Sequence, residues 1–331
     1  MTPELSNLLA DKVGTPSEYR VVFRKLMRDE DLSVLLAVTE KPVSPEAVAR
    51  DLGRTEPEVR RKLESLWKRG LVYEKQGRYG VSSFTDMVHS LLRYSSLQGL
   101  TPREAERLRD LDLTSRFHRY DTYLKERKIP TSSKVVPVEQ GLEAKQWIIP
   151  TEKAVKILRE ARSFAFTDCG CRMAYRRCSN PTDTCLLIGE TADLTVQKGL
   201  ARRISLQEAE QVLKRANDHG LIHLTIYTPG QGVYALCSCC ECCCHDLQIM
   251  KKFGRPDFVA KSEYIAQTDF NQCSQCGECV DRCVFEARTM VGERLLYDPK
   301  KCFGCGLCVT TCPTGAINLV ERQPIGRSTP K

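Results

Sequence analysis

No cysteine occurs before Cys169, although the chain holds 18 cysteines in 331 residues. That absence divides the sequence into a cysteine-free half and a cysteine-dense half. The opening residues, MTPELSNLLADK, lack a basic stretch followed by an apolar core, so no secretory signal is expected there. Long apolar runs are missing too. A run such as Val34 to Val38 falls far short of the roughly 20 residues that cross a bilayer. These absences lead to the expectation of a cytoplasmic protein with no membrane span, whose cysteines are reduced metal ligands rather than disulfides. There is no phosphate loop, no dinucleotide fingerprint and no nucleophile elbow. A flavin or nicotinamide step is therefore expected of a partner protein. The net charge of +8 permits acidic partners without demanding nucleic acid. With 41% hydrophobic residues, the length allows two or three domains of modest core.

What is present is concentrated near the C-terminus. Cys273, Cys276, Cys279 and Cys283 form one tetrad, and Cys302, Cys305, Cys308 and Cys312 a second. Each reads C-x2-C-x2-C-x3-C, and the second continues into Pro313. The short spacings let one tight loop aim three thiolates at a single centre, whereas zinc knuckles use pairs of cysteines. The pattern resembles the bacterial two-cluster ferredoxin, in which each tetrad gives three ligands to one 4Fe–4S cluster and its fourth to the other. The resemblance implies Cys273, Cys276, Cys279 and Cys312 for cluster one, and Cys302, Cys305, Cys308 and Cys283 for cluster two. Val284 departs from the family, which usually has proline there. The change adds a possible amide donor that can tune a reduction potential and removes no ligand.

Ten further cysteines lie upstream. Cys169, Cys171, Cys178 and Cys185 are one group; Cys237, Cys239, Cys240, Cys242, Cys243 and Cys244, followed by His245, are the other. Packing gives no reason to use cysteine six times in eight positions, so these too are expected to bind metal. Adjacent residues of an extended chain face opposite ways, so one metal cannot take all six, and some are expected to complete a site with the first group. One or two additional iron–sulfur clusters are favoured over zinc because a ferredoxin-like segment adjoins them; the partition of ligands stays open. Arg172, Arg176 and Arg177 are candidates for balancing cluster charge or holding an anion. His245 reads equally as a ligand or a helix-start residue, and His223 as a satisfied strand histidine. The layout of Cys169-x-Cys171-Arg172, Cys178, Cys185 and the run Cys237 to Cys244 before a two-cluster ferredoxin resembles a group of anaerobic iron–sulfur proteins. That resemblance spans about residues 130–322 and implies a redox role. Thiolate clusters in this number also point to a low-oxygen cell.

The first half is helical by pattern. Ser44-Pro45 opens a helix that Gly53 closes, and Thr55-x-x-Glu58 reads as a capping box for the next, which buries Val59, Leu63 and Leu66. Residues 71–73 and 79–81 then flank a turn at Gln76-Gly77-Arg78. Residues 30–84 resemble the winged-helix family, which implies either DNA binding or protein docking. Glu56, Pro57 and Glu58 stand where such a helix would meet the bases and oppose DNA contact. Arg60, Arg61, Lys62, Lys68, Arg69, Lys75 and Arg78 are the basic residues that could touch phosphate. Helix is expected over 86–128, a linker over 130–137 and a capping box at Ser205-x-x-Glu208.

The fold expected is therefore α+β and multidomain. A helical domain with a winged-helix-like module spans 1–130, a cysteine-rich α/β domain 131–262 and a βαβ-repeat dicluster ferredoxin domain 263–322, with a flexible tail over 323–331. The function expected is an iron–sulfur electron-transfer protein, or the iron–sulfur subunit of an anaerobic oxidoreductase. It would pass single electrons between a partner, such as a flavoprotein or another oxidoreductase subunit, and a further centre in the cysteine-rich domain. The alternative is a DNA-binding regulator that uses the clusters as a sensor.

Overall fold

The computed structural model describes residues 2–94, 97, 99–127, 133–136, 157–228 and 232–322. The expected tail and half of the expected linker lie outside the described residues. Two compact units are distinguished: residues 1–121 with 173–176 and 198–200, and the remainder.

The first unit opens with helices α1 (Thr2–Lys12), α2 (Arg20–Leu26), α3 (Asp29–Ala37), α4 (Pro45–Leu52) and α5 (Glu56–Lys68), followed by strands β1 (Val72–Lys75) and β2 (Arg78–Val81). Ser44 Oγ accepts the Ala47 amide, Pro45 sits at the first helical position, and Gly53 closes α4 at φ 62°. The capping box expected at Thr55 is not made, since its side chain caps nothing. Pro57 follows one residue behind Glu56, so this helix start already lacks one of the amides that a cap would satisfy. Gln76 and Gly77 both have positive φ, at 53° and 75°, and Lys75 pairs with Arg78. The turn is thus two residues, of the type that matches strand twist, and Arg78 belongs to β2. Phe23, Leu35, Leu63, Leu66, Met87 and Leu92 are fully buried in this unit.

The single helix expected over 86–128 is two. Helix α6 (Phe84–Tyr94) is separated from α7 (Pro102–Arg127). Thr101 and Glu104 form a reciprocal cap: the Glu104 amide donates to Thr101 Oγ1 at 3.3 Å, and Glu104 Oε2 accepts the Thr101 amide at 2.8 Å.

The second unit is built on a seven-stranded sheet: β3 (Ser133–Val136), β4 (Phe164–Thr167), β5 (Cys185–Ile188), β6 (Arg202–Arg203), β7 (Ile222–Thr228), β8 (Gly232–Cys239) and β9 (Val259–Ala260), in the order β6-β4-β5-β8-β7-β3-β9. All its pairs are antiparallel except β3 with β9. The α/β expectation for this region is therefore corrected to a mostly antiparallel α+β layer: helices connect most of its strands, but they do not lay successive strands side by side in parallel. Residues 133–136, expected within a linker, form β3; Val135-Val136 favours a strand once β7 offers a partner. Helices α8 (Gly170–Tyr175), α9 (Glu190–Gln197), α10 (Leu206–Asp218) and α11 (His245–Lys252) accompany the sheet. The Ser205–Glu208 capping box is present. Helix α10 buries Ala209, Val212 and Leu213 against Leu186, Ile188 and Leu236 of the sheet.

The C-terminal segment runs β10 (Tyr264–Thr268), α12 (Glu278–Asp281), β11 (Arg288–Val291), β12 (Arg294–Tyr297), α13 (Leu307–Thr310) and β13 (Ile317–Glu321). Strand β10 pairs with β13, and β11 with β12. Its two halves repeat in backbone as well as in sequence. Gln275 and Gly304, Gly277 and Gly306, and Glu286 and Gly315 occupy equal offsets from the cysteines, and all six have positive φ. The segment is packed onto the sheet: Phe285, Phe303 and Leu307 share one buried cluster with Ile222, Leu224, Cys239, Cys244, Leu247 and Val259.

Candidate metal centres

The sheet explains how the cysteine run is divided. Cys237 and Cys239 lie two apart on β8, opposite Leu224 and Ile222, and so share one face. Leu186 pairs with Leu236, which sets Cys185 of β5 beside Cys237. Thr167 pairs with Cys185, so β4 ends one strand over and delivers Cys169. Beyond Cys239 the chain turns through residues 241–243 and enters α11, with Cys244 as its N-cap residue.

The ten upstream sulfurs fall into two sets. Cys169 is hydrogen-bonded through its side chain to Cys171 and Cys185, Cys185 to Cys237, Cys237 to Cys239, and Cys239 to Cys244. Cys171 and Cys244 feel one another's charge, so these six form one chain-like group, a ring open between that pair. Cys178, Cys240, Cys242 and Cys243 form the other set, with sulfurs all within 4.8 Å of one another. Part of the run lies beside the first group, and the alternation of β8 followed by a turn separates its cysteines into the two sets.

Arg172 lies buried beside both sets. Its Nη1 donates to the Ser238 carbonyl at 2.9 Å and approaches Cys240 Sγ at 3.8 Å, while Nη2 donates to Thr184 Oγ1. Burial opposes its charge, but Cys169, Cys185 and Cys240 outweigh burial and hold the guanidinium firmly protonated. Its Nε is buried without a hydrogen-bond partner. A buried donor with no acceptor is costly, and an anionic acceptor bound beside Arg172, which already feels Cys169 and Cys185 of the ring, would offset that cost. An anionic iron–sulfur group therefore fits the ring. Within the ring, Cys171 and Cys185 donate to Cys169, which lies well below the usual thiol value; Cys171 and Cys185 are raised correspondingly. In the smaller set, Cys243 and then Arg172 bring Cys240 down to about 5, while burial pushes Cys242 up to about 12. Both sets must shed protons to take a metal.

His245 is the first residue of α11, and its Nδ1 lies 3.2 Å from Cys171 Sγ. His223 is buried between Ser238 Oγ, 3.0 Å from its Nδ1, and Asn217 Oδ1. Burial lowers it to about 4.

In the C-terminal segment, Cys283, Cys302, Cys305 and Cys308 line one cavity together with Phe285, Arg288, Tyr297 and Phe303. The Gly304 amide donates to Cys302 Sγ at 3.4 Å and the Ala287 amide to Cys283 Sγ at 3.3 Å. A Cβ on Gly304 would overlap the Tyr264 carbonyl and Ser262 Oγ, so the loop holding Cys302 and Cys305 requires glycine there. Cys276 is exposed, whereas Cys279, Cys302 and Cys308 are buried.

Sequence reasoning missed Arg288. It is 2% exposed; its Nη2 donates to Thr268 Oγ1 at 3.0 Å, its Nη1 lies 3.9 Å from Cys279 Sγ, and the Cys308 thiolate helps hold its charge against burial. It also stacks 4.5 Å over the Tyr297 ring. A buried cation thus stands by one cysteine of each tetrad. The available signal was an arginine opening a strand just after Cys283, where an apolar residue would be ordinary.

Arg60 and Lys62 of α5 and Arg69 just past its end are engaged in ion pairs. Arg60 pairs with Glu46 and Glu56, Lys62 with Glu30 and Asp31, and Arg69 with the buried Asp31. No helix among the described residues is long and apolar enough to cross a membrane.

Comparison with known proteins agrees with the C-terminal geometry. Residues 295–318 match the family described as a 4Fe–4S binding domain. An uncharacterized ferredoxin of Methanocaldococcus jannaschii is 35% identical over 54 residues, 15% of this chain and 87% of that protein. A ferredoxin-like protein of the nif region of Sinorhizobium fredii is 41% identical over 49 residues, 13% of this chain and 77% of the relative. An Escherichia coli protein whose name assigns it provisionally to electron transport is 25% identical over 101 residues, 28% of this chain and 64% of that protein. The chain belongs to the ferredoxin family, whose 4Fe–4S binding domain it carries at residues 295–318.

Proposed function

We propose that this protein is an iron–sulfur electron carrier, or the iron–sulfur subunit of an oxidoreductase. Its ferredoxin-type segment would exchange single electrons with a docked partner protein and with a further centre held by Cys169, Cys171, Cys185, Cys237, Cys239 and Cys244. The observation that carries this reading is the shared apolar cluster. Cys239 and Cys244 of the ring belong to it, Cys237 packs against it, and so do Cys283 and Cys305 of the ferredoxin-type segment. Phe285 and Phe303 stack within it, their centroids 4.2 Å apart. Such packing fixes the two cysteine sets relative to one another and excludes water between them.

A 4Fe–4S cluster at each tetrad supplies a one-electron carrier. We assign Cys273, Cys276, Cys279 and Cys312 to one, and Cys283, Cys302, Cys305 and Cys308 to the other; the cavity that the latter four share supports the crossed use of Cys283. Exposed Cys276 brings the first tetrad within reach of a partner, while the second lies inward against the sheet. Arg288 and Arg172 compensate the negative charge that thiolate-bound clusters bring into the interior.

Residues 30–84 we read as a winged-helix-like module used for protein docking. The ion pairs along α5 and the acidic first turn at Glu56 and Glu58 support docking over DNA.

Reductive titration of anaerobically purified protein, followed by electron paramagnetic resonance, tests the proposal. More one-electron couples are expected than the two tetrads alone provide. Two couples or fewer would overturn the further centre.

A further inference from the structure

Ten upstream cysteines are more than the six-sulfur ring uses, and the remaining four have a geometry of their own. Cys178 Sγ lies 3.7 Å from Cys240 Sγ and 3.8 Å from Cys243 Sγ. With Cys242 included, all four sulfurs stay within 4.8 Å of one another. Zinc–sulfur bonds of about 2.3 Å in a tetrahedron place their sulfurs about 3.8 Å apart. A cubane attaches each thiolate to a different iron, which spreads its four sulfurs more widely. Among the described residues, neither ferredoxin-type tetrad gathers three sulfurs within 4.8 Å of one another, so the same chain spaces its two kinds of site differently.

We propose that Cys178, Cys240, Cys242 and Cys243 form a mononuclear tetrathiolate zinc site, separate from the iron–sulfur centres. This departs from the expectation that favours iron–sulfur over zinc at the upstream cysteines.

The surroundings suit a closed structural site. Cys243 is 0% exposed and Cys240 8%. Asn180 Nδ2 donates to Cys178 Sγ at 3.6 Å, and Arg172 Nη1 approaches Cys240 Sγ, so N–H groups offset the charge of four thiolates on a divalent ion. Arg177 Nη1 donates to Gln248 Oε1 at 2.9 Å, and Gln248 Nε2 to the Glu241 carbonyl at 2.6 Å, tying the Cys178 loop to the turn through two further links. No position is left open for a substrate when all four ligands are protein sulfurs. The site's work is to pin the 241–243 turn against the 177–184 loop. That turn sets Cys239 and Cys244 on either side of it, so zinc would hold the ring of six in shape without itself changing oxidation state.

The test uses full-length protein purified anaerobically. Zinc-edge X-ray absorption should show about one zinc per chain with four sulfur neighbours near 2.3 Å. In C178S and C242S, both at partly exposed positions outside the ring, zinc should fall at least tenfold while iron and sulfide per chain stay unchanged. Zinc absent from the wild-type protein, or zinc bound by nitrogen and oxygen and removed by a weak chelator, would overturn the assignment. So would an iron atom found at these four sulfurs, or loss of iron and sulfide with zinc retained in C178S. If neither variant folds, the absorption spectrum of the wild-type protein decides alone. The iron count tests the redox reading separately, so either conclusion can fail without the other.

Discussion

Arg288 and Arg172 are cations placed where burial would ordinarily forbid them. Arg288 sits by Cys279 and Cys308, and its charge favours the more negative, reduced state of a cluster bound there. R288M should lower the potentials of the ferredoxin-type clusters by on the order of 60 mV, a tenfold change in a one-electron equilibrium. R288K should recover part of that shift; a redox titration measures both. A protein that merely lost packing would not respond to the restored charge. His223 makes a different prediction. Its value falls from 6.5 in the open chain to about 4 in the fold, because burial disfavours the imidazolium. The unfolded chain therefore takes up a proton between pH 6.5 and 4 that the folded chain refuses. The stability His223 contributes is complete above pH 6.5 and is lost as pH falls toward 4, by up to about 3 kcal/mol. Anaerobic denaturant titrations at pH 7 and pH 5 should show this loss, and H223Q should reduce it.

At the scale of elements, the cysteine loops depend on backbone that ordinary residues avoid. Gly304 combines positive φ with a wall made by the Tyr264 carbonyl and Ser262 Oγ. G304A should destabilise the segment by at least about 1–3 kcal/mol and lower its iron content. Gly292 also has positive φ but meets nothing within 4 Å, so G292A, costing about 1 kcal/mol, is the control; thermal melts and iron assays compare them. Capping shows how far local sequence reaches. Ser205 and Glu208 read as a box and form one, and Thr55 and Glu58 read the same way yet do not. Thr101 and Glu104 form a box inside what reads as one long charged helix. A four-residue pattern states what is possible, and the neighbouring chain decides whether it is used. Strand β8 gives the same lesson, running through Cys237 to Cys239 because β5 and β7 flank it. Ion pairing along α5 leads to one more expectation: a gel shift with duplex DNA at low salt should show no binding, and retardation at submicromolar protein would favour the regulator reading.

For the whole molecule, the spacing of the eight C-terminal cysteines was legible from sequence because each tetrad is local and its loop repeats. The division of the upstream ten was not. It rests on strand register, a turn and a helix cap brought together from residues 169–185 and 237–244, and no periodicity encodes which sulfur meets which. Arg288 was hidden for the same reason, since burial of a charge is a property of the assembled core, whereas Arg172 could be read as a charge-balancing candidate because it adjoins Cys171. Together these features describe a protein in which the ferredoxin-type segment is packed directly against a second group of cysteines. Iron and acid-labile sulfide per chain, measured on anaerobically purified full-length protein, test that most directly. The account predicts clearly more than the roughly eight irons and eight sulfides that two 4Fe–4S clusters hold, with the excess lost in C169S/C185S. Eight or fewer in the wild-type protein, with no change in that variant, would contradict it.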